Sequence, residues 1–228
     1  MIIAPIDGQQ GPVQKIFYYH VPTAWVSFIC FTVAFYQSIQ YLKTRDLSHD
    51  QKALIYAATA YVFTTGVLVT RPLWAKPIWG DFWNWADQRL MSFFVLWLSY
   101  GGYLFLRLSV PSPEKKARLS AVLAIIAYLN VPLVYLSIRI WNTPSHPGPV
   151  VGGKEDSGVT PEMRIVFWYC VISFHLLLAI LLPLLRKALQ HRGELENIRL
   201  RLSSAQEIYY YEKILAFSLN PNLPQLCL

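Results

Sequence analysis

Residues 23–42 read Thr23-Ala-Trp25-Val-Ser-Phe-Ile-Cys30-Phe-Thr-Val-Ala-Phe-Tyr-Gln-Ser-Ile-Gln-Tyr-Leu42, a run without a single charge. A helix of ~20 residues rises about 30 Å, the depth of a bilayer's hydrocarbon layer. Pro22 stands just before the run, where a helix's first turn tolerates it. Four further runs lack Asp, Glu, Lys and Arg altogether: 53–70, 90–106, 119–138 and 165–185. Lipid offers no partner for backbone N–H and C=O groups, so each run is expected to be α-helical. The fold class expected is an all-α polytopic membrane helix bundle with five transmembrane helices.

Composition agrees, with 54% of residues hydrophobic and only 14% charged. The net charge of +7 would suggest a polyanionic partner in a soluble domain. Here the basic residues sit between the apolar runs, where they set topology, and no nucleic-acid partner is implied. Cys30, Cys170 and Cys227 are far apart and form neither a disulfide framework nor a zinc motif. Residues 1–12 lack the basic and apolar regions of a signal peptide.

Of the 20 Lys and Arg, thirteen fall in residues 43–52, 107–118 and the tail after the fifth run, and seven in the alternate segments. The positive-inside rule therefore puts the tail in the cytoplasm and residues 71–89, His20 and His146 outside. Beyond Arg186 the composition turns to mixed charge, and Leu195, Ile198, Leu202, Ile208 and Leu215 give an imperfect helical stripe. A domain of residues 1–188 and a cytoplasmic tail of 189–228, carrying a C-terminal surface helix, are expected.

The second outer segment is unusual. Residues 74–89, Trp74-Ala-Lys76-Pro-Ile-Trp79-Gly-Asp-Phe-Trp83-Asn-Trp85-Ala-Asp87-Gln-Arg89, hold four of the 8 tryptophans. If residues 80–87 are helical, Trp79, Phe82 and Trp83 share one face and form a flat apolar platform. An interfacial aromatic belt also uses tryptophan, but scatters it over several helix ends. The other use of such a platform is to grip a large planar ligand.

His20 precedes the first span, and His146 follows the fourth in Trp141-Asn-Thr-Pro-Ser-His146. Neutral imidazole ligates haem iron, and two histidines from separate loops could clamp the metal while tryptophans cover the porphyrin. Haem propionates ask for Arg or Lys at the rim, and Arg71, Lys76, Arg89 and Arg139 end spans on that side. Asp87 is expected to pair with Arg89 or a histidine N–H. His175 alone lies inside a span, which argues against a transmembrane electron carrier, and His49 and His191 belong to the cytoplasmic face. Residues 148–155 imitate a phosphate loop, but Glu155 stands where a hydroxyl must reach the metal, so the chain brings no ATPase of its own. No catalytic Ser-His-Asp or paired-carboxylate arrangement is evident, and the chain is not expected to be an enzyme.

Tyr18-Tyr19-His20-Val21-Pro22, Trp74-Ala75-Lys76-Pro77-Ile78-Trp79-Gly80, the tryptophan-rich residues 81–89, and Trp141-Asn142-Thr143 with His146 recur in order. Together they resemble the haem-handling protein C family of cytochrome c maturation, also called haem exporter protein C, over most of residues 1–185. The resemblance implies a bacterial inner-membrane protein that binds haem b as cargo at its periplasmic face. It would pass the haem to a periplasmic haem chaperone, beside ABC-type transporter subunits that include an ATPase and a small accessory membrane subunit.

Carried over by position, His20 and His146 become the axial ligands of the haem iron, and Trp74, Trp79, Trp83, Trp85, Asp87 and Arg89 the platform. Arg71, Lys76 and Arg139 become candidate propionate contacts. Three departures stand out. Ala86 intervenes, so Asp87 and Arg89 each come one place late, and His146 lies one residue further from Trp141 than is usual. The family usually has six spans, and this chain is expected to lack the first. Two other readings compete, a permease subunit without a haem site and a component of a haem ligase.

Overall fold

The structure, a computed structural model, describes residues 4–8, 10–141 and 159–219. A short 3-10 helix, Pro12–Ile16, leads into α1 (Phe17–Thr44), followed by α2 (Leu47–Trp79), α3 (Gln88–Ser109), α4 (Pro113–Tyr128), α5 (Asn130–Trp141) and α6 (Pro161–Leu219). Among the described residues, five segments are long and apolar enough to cross a membrane: Pro12–Thr44, Leu47–Trp79, Gln88–Ser109, Pro113–Ser137 and Pro161–Leu195. The described residues thus form an all-α bundle with five segments of spanning length, as the charge-free runs lead one to expect.

The ends of these helices follow from local chemistry. Arg45 leaves α1 in the left-handed conformation with its N–H on the Tyr41 carbonyl. Asp46 then caps α2 by accepting from Ser48 N at 2.8 Å, and its bonds to Ser48 hold the exposed carboxyl below the usual range. Gly80, at φ 87, closes α2 with its N–H on the Lys76 carbonyl. Asp87 opens α3, accepting from Arg89 N and Leu90 N at 3.0 and 3.1 Å.

Two boundaries differ from the sequence expectation. The second span does not end at Arg71-Pro72, because α2 continues through Pro72 and Pro77 to Trp79. Proline removes one N–H without ending a helix whose neighbours hold it. The fourth span is interrupted at Leu129, three residues before Pro132, which has no N–H to offer the Tyr128 carbonyl.

Within Met1–Leu182, one of two compact units, the core is shared by all the helices. Val26, Cys30, Phe31 and Ala34 of α1 meet Ala57, Ala60 and Val67 of α2, Leu96 and Tyr100 of α3, Ala124 of α4 and Val134 of α5. Small residues let the backbones approach closely, and Phe31 stacks on Tyr100 with ring centroids 4.0 Å apart. Asp50 of α2 takes both guanidinium nitrogens of Arg107 on α3 in a buried, forked ion pair. A second cluster, with Phe17, Tyr18, Trp74, Met163 and Phe167, gathers around the start of α1 and the end of α2.

The other unit is Pro183–Leu228, whose described part is the remainder of α6. The expected tail helix is therefore continuous with the fifth span, and Leu195, Ile198, Leu202, Ile208 and Leu215 are all exposed along it.

Candidate functional site

His20 is not a loop residue. Because α1 begins at Phe17, the imidazole rides the first turn of a helix and is buried, only 6% exposed. Its Nδ1 lies 2.8 Å from the hydroxyl of Thr70 on α2. One turn further along α2, Trp74 meets the imidazole edge to face at 5.7 Å. Trp74 is itself buried, and its indole N–H donates to Gln10 of the N-terminal lead at 3.1 Å. The continuation of α2 past Pro72 is what brings Thr70, Arg71, Trp74 and Trp79 onto one rigid element.

Arg71 and Asp87 are both buried and approach to 3.2 Å. The same carboxylate caps α3 through its other oxygen, so Asp87 fastens the end of α2 to the start of α3. Asp87 was expected to pair with Arg89 or a histidine; its carboxylate meets the Arg71 guanidinium, accepts the backbone N–H of Arg89 and is also the attractive charge beside the Arg89 guanidinium. The Arg71 guanidinium also lies 5.1 Å above the Trp79 ring, a cation–π contact. Arg89 and Arg71 are the electrostatic neighbours of His20.

Residues 80–87 are a bend and turns, not a helix, so the aromatic face imagined for Trp79, Phe82 and Trp83 does not form. Gly80 ends α2 in a left-handed conformation that side-chain-bearing residues avoid, and the chain turns away there. The tryptophans consequently divide into two groups. Trp74 and Trp79, 6.3 Å apart, stay on the His20 side. Trp83 and Trp85 pack edge to face at 5.7 Å, and both meet Phe94 of α3. That second group extends as a stack through Trp97 to Tyr61. Trp85 and Phe82 are exposed.

Lys76 spends its ammonium on the Gly80 carbonyl at 2.7 Å and lies 5.2 Å above the Phe82 ring. Arg139 is on α5, but its side chain lies outside the description, and His146 falls outside the described residues. Sequence reasoning missed Gln10, Thr70, Phe94 and Trp97. Only the last two carried a signal, an i, i+3 aromatic spacing that continues the tryptophan-rich segment.

A haem would fit the donors present. Its iron needs an unprotonated imidazole nitrogen and its propionates need buried cationic donors. Arg89 Nη1 and Trp83 Nε1 are buried and, among the described residues, have no hydrogen-bond partner. Buried donors without acceptors are costly, and a ligand carboxylate would satisfy them.

A sequence profile described as Heme exporter protein C matches residues 1–199. The chain belongs to that family. Heme exporter protein C of Bradyrhizobium diazoefficiens is 34% identical over 208 residues, covering 89% of this chain and 78% of its own length. The Escherichia coli K12 protein of the same name is 34% identical over 187 residues, covering 80% of this chain and 72% of its own. A putative cytochrome c biosynthesis ccmC-like mitochondrial protein of Marchantia polymorpha is 31% identical, covering 78% of this chain and 74% of its own. The heme exporter protein C family handles haem in cytochrome c maturation, and within it this chain places Ala86 between Trp85 and Asp87. The structure gives that Asp87 a definite job, capping α3 and meeting Arg71.

Proposed function

We propose that this chain binds haem b as cargo at the periplasmic face of a bacterial inner membrane and hands it to a periplasmic haem chaperone. The observation that carries the reading is the setting of His20. Its ring is buried against Trp74, its Nδ1 is engaged by Thr70, and Arg71 and Arg89 stand close by. That leaves Nε2 as the nitrogen able to reach iron.

In this reading His20 supplies one axial imidazole and His146 the other. Trp74 and Trp79 exclude water beside the first, while Arg71 and Arg89 receive propionates. Arg139 could serve the propionates from α5, and Lys76 acts chiefly by closing α2. Trp83 and Trp85, partly exposed and braced on Phe94, offer an outer aromatic surface for the cargo or the chaperone. No bond in the cargo is made or broken, so the role is transfer and not turnover. ABC-type transporter subunits with an ATPase and a small accessory membrane subunit are the partners this role needs. The charge distribution favours the same sidedness, with the tail in the cytoplasm.

The test is the haem content of protein purified from haem-replete cells, read from its visible spectrum. Wild type is expected to carry haem, and His20→Ala combined with His146→Ala to lose it. Wild type free of haem, or a double variant that keeps its full complement, overturns the reading.

A further inference from the structure

The Thr70 hydroxyl has three polar neighbours and one proton. It lies 2.8 Å from the Gly66 carbonyl, 3.1 Å from the Val67 carbonyl and 2.8 Å from His20 Nδ1. Two carbonyl oxygens at that range would set lone pair against lone pair unless the hydroxyl proton points at them. The proton is therefore committed to the backbone of α2, and only the oxygen's lone pairs face the imidazole. The donor in the His20 contact must then be Nδ1–H.

We infer that Thr70 is a positioning residue that holds His20 in the Nδ1–H tautomer, which keeps the Nε2 lone pair unprotonated for the iron of an incoming haem. The inference rests on the haem reading of His20 given above. The packing agrees with it: Gly66, one turn before Thr70, faces Tyr19 and Thr23, which lie on either side of His20 on α1, so the two helices meet at this level.

The choice of partner bears on release as well as binding. Metal-bound imidazoles commonly donate their far N–H to a carboxylate or carbonyl, which raises ligand basicity. A hydroxyl fixes the tautomer with less electron push. That suits a ligand that must orient iron and later let it go.

The experiment titrates detergent-purified chain with haemin and reads the Soret band, for wild type, His20→Ala, Thr70→Ser and Thr70→Val. Loss of an outer partner of a metal ligand weakens binding by about ten- to a hundred-fold. Thr70→Val should show that loss, and Thr70→Ser should stay within about two-fold of wild type. Thr70→Ala serves should the valine variant not accumulate. A purely structural role is excluded in a His20→Gly background loaded with free imidazole, where Thr70→Val should have no effect because the added ligand chooses its own tautomer. Unchanged affinity in Thr70→Val with loss in His20→Ala overturns this inference and leaves the haem reading intact. Unchanged affinity in His20→Ala removes both, and equal weakening by Thr70→Val in the two backgrounds overturns the tautomer role.

Discussion

Helices α2 and α3 are tied together twice by an arginine and an aspartate, and the two ties are built differently. Near the start of α2, Asp50 receives both nitrogens of the Arg107 fork, and the guanidinium covers the Tyr103 ring at 5.7 Å. Near its end, Arg71 meets one oxygen of Asp87 at 3.2 Å while the other oxygen caps α3. A third cation, Arg89, stands beside that second tie with a buried nitrogen that no described residue engages. The first arrangement satisfies its charges internally and acts as a strut. The second gathers Arg71 and Arg89 around the Asp87 carboxylate next to a buried imidazole, the arrangement that the proposed haem site would use.

Breaking the strut should give the largest effect on stability. Arg107→Leu leaves a buried carboxylate without its cation and should destabilise the bundle by about 3–5 kcal/mol, seen as a lowered unfolding temperature in detergent. Adding Asp50→Leu to that variant should restore most of the loss, since an apolar pair strands no charge and no polar group. Haem bound per folded molecule should not change in either.

At the other tie the pattern should invert. Arg89→Leu removes a buried donor that lacks an acceptor, so unfolding should shift by less than about 1 kcal/mol. Haemin affinity should fall by about ten-fold or more, the value of one charge-assisted hydrogen bond to a carboxylate. A large drop in unfolding temperature with unchanged affinity would make Arg89 a strut like Arg107 and erase the contrast.

The smallest effect concerns the hinge between the tryptophan groups. Gly80→Ala forces a side chain into a left-handed conformation at φ 87 and should cost about 1 kcal/mol. Fluorescence of Trp83 and Trp85 should respond more than that of Trp74, which is fixed on α2.

Much of this was legible because charge is costly in lipid, so the runs without Asp, Glu, Lys or Arg marked five spans directly. Proline misled twice. Pro72 reads as a stop, yet α2 carries on to Trp79, whereas Pro132 passes unnoticed inside an apolar run and breaks it. The tryptophan-rich segment was conspicuous, but its shape was not. One glycine in a left-handed conformation and one aspartate acting as a cap decide that residues 80–87 turn instead of coiling. The Asp50–Arg107 pair and the Thr70–His20 contact join residues 57 and 50 positions apart, and no local pattern announces them. His20 itself was visible from its place before the first span and its spacing from proline. Its burial was not, because the helix begins at Phe17, six residues before the apolar run.

The central claim is that an imidazole from His20 and one from His146 hold the same iron from opposite sides. Low-temperature electron paramagnetic resonance of the ferric haem complex tests it directly. The account predicts a six-coordinate low-spin signal of two nitrogen ligands in the wild type, converted to a high-spin signal by either His20→Ala or His146→Ala. A wild-type spectrum that is already high-spin, or a low-spin signal that survives both substitutions, would contradict it.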